Sequence, residues 1–128
     1  MTIARQRFGR SAEERVAGWL ERQGVLIVDR NARPADVRGE IDLVALDADV
    51  LVFVEVKGRR AGSVGGPETP ALAVGLRKQA RLRRLATAWL RENRERLGAV
   101  RALRFDVAGL RLDDEGRLVE WEYLRAAF

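Results

Sequence analysis

Residues 39–44 (GEIDLV) and 52–57 (VFVEVK) are two apolar stretches that carry acidic residues, and they decide how this chain folds. Both have the composition of β-strands, and Asp47-Ala48-Asp49 between them can turn the chain, so together they predict an antiparallel hairpin. Residues two apart in a strand share a face of the sheet. Folding the hairpin is therefore expected to bring Asp42 close to Glu55, with Lys57 beside them.

Carboxylates on apolar strands predict a cation site. Asp42 and Glu55 would lose hydration and repel each other. A hard divalent cation relieves both problems, because Mg²⁺ prefers oxygen ligands. Lys57 can then hold a phosphate or a polarised water, which predicts a Mg²⁺- or Mn²⁺-dependent phosphodiesterase. The alternative is that Glu55 and Lys57 form a surface salt bridge at the strand end.

The composition narrows the chemistry available. A chain of 128 residues predicts one domain, residues 1–128. It has neither cysteine nor histidine, so disulfides, thiolate metal sites and histidine catalysis are excluded. Carboxylates, lysine, arginine, the single Tyr123 and hydroxyl groups remain. The longest apolar run, 50–54, falls far short of the ~20 residues that a membrane span needs. The first residues lack the apolar core of a signal peptide, so the cytoplasm is the expected location.

The charge distribution favours a polyanionic partner. The net charge is +5, and residues 77–104 hold ten basic residues against two acidic ones. The alternative is a solvated helix face in an arginine-rich protein. Lysine occurs only at positions 57 and 78, and its ammonium has a tunable pKa that arginine cannot supply.

The order of predicted elements indicates the α/β class. Periodicity and turn residues predict helices over 9–23 and 76–97 and strands over 25–28, 40–46, 50–57, 101–107 and 118–124. This order predicts a mixed sheet with flanking helices. Residues 58–75 contain five glycines and two prolines, so a mobile loop is expected there, either covering a substrate or simply connecting two elements.

Two further acids, Glu13 and Glu40, are candidates for the metal site. Glu13 is expected at the edge of the apolar stripe of the first helix, where a metal or a basic residue would be its partner. Its alternative is a helix start, because Ser11 and Glu14 fit a capping box. Glu40 shares a face with Asp42 and could be an alternative metal ligand or support one, but a solvated strand start is the favoured interpretation for it.

Five residues are candidates for contacting a nucleic acid or ordering a water. Arg59 and Arg60 could grip phosphates at the mouth of the site, or simply keep a loop soluble. Lys78 and Gln79 lie in the first turn of the second helix and could reach the hairpin, or represent ordinary first-turn polarity. Arg81 is expected on a solvated face that attracts nucleic acid non-specifically.

These residues resemble the YraN-like family of small bacterial proteins, over nearly the whole chain. The matching features are Gly9-Arg10, Glu13, Asn31, Arg33, residues 39–44 and 52–57, Arg77-Lys78-Gln79, residues 104–107 and Ala127-Phe128. One departure is Ala12, where the family usually has glycine. The family is similar to the restriction-endonuclease-like superfamily, and to archaeal Holliday-junction resolvases in particular.

The resemblance implies a three-layer α/β/α restriction-endonuclease-like fold with a mixed central sheet. It implies a metal site formed by Glu13, Asp42 and Glu55. In the same resemblance Lys57 is the catalytic lysine and Gln79 an accessory polar group.

The leading hypothesis is a Mg²⁺- or Mn²⁺-dependent endonuclease that acts on DNA, with branched or structured DNA as a candidate substrate. The alternative is a nucleic-acid-binding module without hydrolysis that assists recombination or repair. A basic scaffold for RNA or another protein is a third, weaker hypothesis. Resolvase-like activity would favour a two-fold homodimer.

Overall fold

The computed structural model of the chain describes residues 3–62 and 74–128, and the remaining residues lie outside the description. Within the described ranges, two α-helices, one 3₁₀ turn and five strands follow one another. In order they are α1 (Ile3–Arg22), β1 (Leu26–Ala32), β2 (Ile41–Asp47), β3 (Val50–Arg60), α2 (Leu76–Asn93), the 3₁₀ turn (Arg94–Arg96), β4 (Ala102–Leu112) and β5 (Leu118–Leu124).

The strands form one mixed sheet in the order β1-β2-β3-β4-β5. Strands β3 and β4 are parallel, and the other three neighbouring pairs are antiparallel. A parallel pair needs a long crossover connection, and α2 supplies it between β3 and β4. The predicted α/β class and mixed sheet are therefore confirmed.

The hairpin predicted from the two acidic stretches is present. Asp47 pairs with Val50 across a tight turn, in which Ala48 has a left-handed backbone with φ of +54°. The register continues along the ladder with Leu43 opposite Val54. Beyond that pair the backbone N–H of Val56 donates to Asp42 Oδ2 at 2.8 Å, and the charge of Glu55 acts on Asp42, so the hairpin brings the two acids close together, as the sequence predicts.

The core consists of two clusters that divide alternate residues of the central strands between the helices. Ala12, Val16 and Leu20 of α1 belong to one cluster, together with Leu43, Ala45, Val52 and Val54. Leu82, Leu85 and Trp89 of α2 belong to the other, together with Val44, Leu51 and Phe53. Successive strand residues point to opposite faces, so each helix packs on its own face of the sheet. Neither helix within the described ranges has both the length and the hydropathy to span a membrane.

Five predicted boundaries are wrong by three residues or more, and two of them are the ends of β1 and β4, which lie at Ala32 and Leu112 instead of residues 28 and 107. Helix α1 begins at Ile3, so Ser11 lies well inside it and the capping-box interpretation fails. Strand β3 continues to Arg60, because it keeps pairing in parallel with β4 as far as Leu112; residues 58–60 are therefore strand and not loop. The predicted mobility of residues 63–73 falls outside the described residues. Helix α2 ends at Asn93, and a 3₁₀ turn follows it.

Gly58 allows α1 to approach the sheet closely. A Cβ atom at this position would lie 3.0 Å from Cβ of Ala12 and 3.3 Å from the ring of Phe8. The absence of a side chain therefore fixes how near α1 lies to β3. Glu13 follows Ala12 directly, so this contact also positions a candidate metal ligand. Ala12 is buried at this contact, so the fold accommodates its methyl group where the family usually has glycine.

Candidate active site

Three carboxylates converge where α1 approaches the beginning of β2. Glu13, Glu40 and Asp42 each offer one oxygen, and these oxygens all lie within 4.8 Å of one another. We call these three residues the acidic cluster. Glu13 is half-buried while Glu14 is exposed, as the apolar stripe of α1 predicts. Glu40 was expected to be a solvated strand start, and the structure instead places it inside the acidic cluster.

Asp42 is the acid whose ionisation is most strongly disfavoured. Burial is the main cause, and the negative charge of Glu55 is the next. A hydrogen bond from the backbone N–H of Val56 to Oδ2, 2.8 Å long, opposes them, while Glu13 and Glu40 add to the repulsion. The result is a pKa raised from 3.8 to about 7. Uncompensated negative charge of this kind is what a bound cation would relieve.

Asn31 and Arg33 hold two of the acids in place. The side-chain amide of Asn31 donates to Glu13 Oε2 at 2.7 Å and to Glu40 Oε1 at 2.8 Å. Arg33 Nη2 donates to Glu40 Oε2 at 2.7 Å. Burial still raises the pKa of Glu13 above its ordinary value, although the bond from Asn31 lowers it. Sequence periodicity gives no signal for either residue; only the family resemblance singled them out.

Glu55 is buried beside the acidic cluster and is paired with two ammonium groups. Its side chain is 8% exposed, and Oε1 lies 2.6 Å from Lys78 Nζ and 3.5 Å from Lys57 Nζ. The expected surface salt bridge with Lys57 therefore exists as a contact, but Glu55 is buried and Lys78 is the closer partner. The prediction that Lys78 reaches the hairpin is confirmed.

The two lysines differ in how readily they release a proton. Burial, and then the hydrogen bond with Lys78, lower the pKa of Lys57, and the opposing effect of Glu55 is smaller. Burial alone would also lower the pKa of Lys78, but its hydrogen bonds to Glu55 and Lys57 outweigh burial and raise it. Lys57 therefore releases its proton more readily than Lys78 does.

The Gln79 side chain stabilises the start of α2. Its Nε2 donates to the carbonyl oxygen of Val74 at 3.0 Å, and its backbone N–H donates to the carbonyl oxygen of Gly75 at 2.9 Å. Gln79 thus ties the first turn of the helix to the residues that precede it. Its role as an accessory polar group of the site stays a prediction.

The predicted phosphate-binding arginines occupy three different environments. Arg59 is half-buried, whereas Arg60 is exposed with its guanidinium carbon 5.0 Å from the centre of the Phe8 ring. Arg81 is exposed on α2, and its Cδ lies 3.7 Å from the place that a Cβ on Gly39 would occupy. Arg81 therefore lies next to the start of the GEIDLV stretch.

The outward side of α2 is basic, as its periodicity predicts. We define the basic face as Arg77, Arg81, Arg84 and Arg91, all of which are exposed. On the opposite side of the helix Trp89 is buried, and its Nε1 donates to Asp29 Oδ2 at 2.8 Å. Trp89 is therefore a core residue and not a platform for stacking bases.

A second buried acid, Asp106 in β4, was not predicted to be special. It is fully buried and accepts from Arg104 Nε at 2.9 Å, Arg104 Nη2 at 3.0 Å, the Tyr123 hydroxyl at 2.6 Å and the backbone N–H of Ala126 at 3.0 Å. We call this set the Asp106 network. Burial and the bond to Asp106 raise the pKa of Tyr123. An acid that already accepts four hydrogen bonds has little need of a cation.

The chain matches the profile of the uncharacterised protein family UPF0102 over residues 12–110. Among similar proteins, the UPF0102 protein of Arthrobacter sp. (strain FB24) is 47% identical over 122 residues, which are 95% of this chain and 96% of that protein. The UPF0102 protein of Pelotomaculum thermopropionicum is 40% identical over 128 residues and the whole of both chains. That of Dictyoglomus thermophilum is 32% identical over 121 residues, which are 94% of this chain and 96% of that protein.

The matched region includes the acidic cluster, Glu55 and both lysines. The resemblance to the YraN-like family is therefore confirmed, and the chain belongs to the uncharacterised protein family UPF0102.

Proposed function

We propose that this protein is a Mg²⁺- or Mn²⁺-dependent endonuclease that hydrolyses phosphodiester bonds in DNA. In this proposal its fold is a three-layer restriction-endonuclease-like one, related to Holliday-junction resolvases. The observation that carries the proposal is the convergence of Glu13, Glu40 and Asp42 within 4.8 Å of one another. Lys57 accompanies them through its contact with Glu55.

The donor set suits a hard divalent cation. Carboxylate oxygens are the ligands that Mg²⁺ and Mn²⁺ prefer. Glu13, Asp42 and Glu55 are the proposed ligands, and Glu40 lies close enough to Glu13 and Asp42 to contribute an oxygen. Such a cation would lower the pKa of a coordinated water and stabilise charge on the scissile phosphate.

Lys57 has the properties of a group that handles the nucleophile's proton. Its lowered pKa increases the fraction that is neutral and able to accept a proton near neutral pH. Once protonated, its ammonium group neutralises negative charge that develops on the phosphate. Lys57 follows Glu55 by two residues in β3, with Nζ 3.5 Å from Glu55 Oε1, so the strand itself holds Lys57 near this carboxylate.

The basic face of α2 supports a nucleic-acid substrate. Its four exposed arginines provide charges for phosphate contacts, which carry no base specificity. Arg81, beside Gly39, links this face to the GEIDLV stretch. Branched DNA is the proposed substrate class, and paired cuts in such a substrate would favour a two-fold dimer.

A second candidate function is a nucleic-acid-binding module without hydrolysis. The pairing of Glu55 with Lys78 and Lys57 favours it, because this buried acid is already neutralised without a cation. Such a module would bind DNA with a steep dependence on salt. Mn²⁺ would not raise its melting temperature.

Cleavage of labelled branched and linear DNA with Mn²⁺ tests the proposal. Wild type should cut at least one substrate, whereas Asp42→Asn and Lys57→Met should each lose about 10²-fold or more of the rate. Asp49→Asn is the matched control, because Asp49 is an exposed acid paired with Arg101, and its rate should stay at the wild-type level. Equal rates in all four proteins, or no cleavage by wild type on any substrate, would contradict the proposal.

A further inference from the structure

We infer that Lys78 is the built-in counter-ion of Glu55 and competes with a divalent cation for that carboxylate. The inference rests on the proposed function for the identity of the cation. Its basis is the 2.6 Å contact between Lys78 Nζ and Glu55 Oε1, which joins the first turn of α2 to the end of β3.

Glu55 needs a positive partner in the protein without metal. Its side chain is 8% exposed, so an unpaired charge there would be poorly hydrated. Lys57 lies two residues further along the same strand, but its ammonium is 3.5 Å away. Lys78 is therefore the principal counter-ion, and it comes from a different element of the fold.

The acidic cluster and Glu55 form two neighbouring sets with different partners. Glu13, Glu40 and Asp42 converge on one another, whereas Glu55 Oε1 is directed to the two lysines. A dication that also recruits Glu55 would sit close to the Lys78 ammonium. The two positive charges would repel each other, so the ion pair weakens cation binding until Lys78 moves away from Glu55.

This competition links the cation to an anionic ligand. An anion that draws Lys78 away, such as a DNA phosphate, would leave Glu55 available to the cation. Coupling between two binding sites is reciprocal, so the cation would equally favour binding of the anion. Lys78 is well placed for this exchange, because it follows Arg77 of the basic face directly. In this account Lys78 is a positioning residue that sets the affinity of the metal site.

Calorimetric titration of the full chain with Mn²⁺, without DNA, tests the competition. The proteins compared are wild type, Lys78→Met, Glu55→Gln and the double variant, with circular dichroism as the check of folding. Lys78→Met should bind Mn²⁺ about fivefold or more tightly than wild type. In the Glu55→Gln background the same change should have little effect, because the contested carboxylate is gone.

Two controls separate this mechanism from general electrostatics. Arg94→Met removes one positive charge at the exposed far end of α2 and should leave Mn²⁺ affinity unchanged. Lys78→Arg keeps the charge and should keep the wild-type affinity. Loss of a merely structural contact would not tighten Mn²⁺ binding. If Lys78→Met fails to fold, Lys78→Gln takes its place in the same cycle.

The outcomes distinguish this inference from the proposed function. Mn²⁺ binding to wild type with equal or weaker binding to Lys78→Met overturns the competition alone. Tightening that persists in the Glu55→Gln background also overturns it, because Glu55 would not then be the contested group. Absence of Mn²⁺ binding in all four proteins overturns the competition together with the metal-dependent function.

Discussion

Two regions of the described residues bury carboxylates, and they differ in how far the negative charge is compensated by neighbouring groups. Asp106 is fully buried and accepts hydrogen bonds from Arg104, Tyr123 and a backbone N–H. Asp42 has one backbone donor, Val56, and its surroundings include further carboxylates. The first arrangement neutralises its acid, and the second concentrates negative charge.

In the proposed function, this difference separates a structural acid, Asp106, from a functional one, Asp42. The Asp106 network joins β4 to β5 and to the backbone at Ala126, so its interactions stabilise the fold. In the acidic cluster, Asn31 and Arg33 hold Glu13 and Glu40, whereas burial and the neighbouring carboxylates raise the pKa of Asp42 to about 7. Strongly shifted pKa values cluster at functional sites, which supports the role proposed for Asp42. Replacing Asp106 should therefore lower the free energy of unfolding, whereas replacing Asp42 should raise it.

The largest effect, a loss in the free energy of unfolding, is expected from Asp106→Ala. The change leaves Arg104 and the Tyr123 hydroxyl without their shared partner, and breaking a buried charge pair costs about 3–5 kcal/mol. For a chain of this size the melting temperature should fall by roughly 10 °C or more. Urea denaturation measures the free energy of unfolding. Asp49→Ala, at an exposed pair, should cost less than about 1 kcal/mol; a comparable small loss in Asp106→Ala would show that the network is not structural.

Asp42→Asn should stabilise the protein at high pH in the presence of a chelator. The folded pKa is about 7 and the ordinary value is 3.8, so the folded state binds a proton between these values that the unfolded chain has released. Wild-type stability therefore falls as pH rises through this window, and the loss is complete above about pH 7. Asparagine avoids that loss, with a gain of up to about 4 kcal/mol.

Urea denaturation of wild type and Asp42→Asn at about pH 4, 6 and 8 measures this gain, which should vanish at the lowest pH. Asp49→Asn serves as the control, and its stability relative to wild type should not increase with pH. A variant that is less stable than wild type at about pH 8 would place Asp42 with Asp106 among the stabilising acids.

The smallest effect is expected from Asn31→Gly. Asn31 has φ of +49°, so glycine removes the amide without straining the backbone. Losing the donor to Glu13 and Glu40 should weaken Mn²⁺ binding by about tenfold, as for other groups that orient metal ligands. Titration calorimetry measures the affinity. Asn93→Ala removes an amide that binds the Trp89 carbonyl and should leave the affinity unchanged; equal affinities in both variants would mean that Asn31 does not orient the acids.

Much of this site could be predicted from local sequence patterns. The hairpin follows from two apolar stretches with a turn between them, and its folding brings Asp42 close to Glu55. Helical periodicity places Glu13 at the inward edge of α1 and Lys78 within reach of the hairpin. These predictions succeed because a strand or helix fixes the direction of each side chain.

What the sequence could not supply depends on contacts between distant segments. Asn31 bridges Glu13 and Glu40 from a strand whose pattern carries no hint of that role. The place of Glu40 in the acidic cluster and the burial of Asp106 likewise depend on how several elements meet. The sequence predicts Gly58 as part of a loop, because sequence alone does not distinguish a glycine required for close packing from a glycine in a turn.

The central claim is that the acidic cluster, and not the Asp106 network, takes up a divalent cation. A crystal soaked in Mn²⁺ at about pH 8, where Asp42 is ionised, tests this most directly through the anomalous signal of the metal. We predict a peak at coordination distance from Asp42 and from Glu13 or Glu40. A difference map without a peak there, in crystals whose acids are arranged as described, would contradict the account.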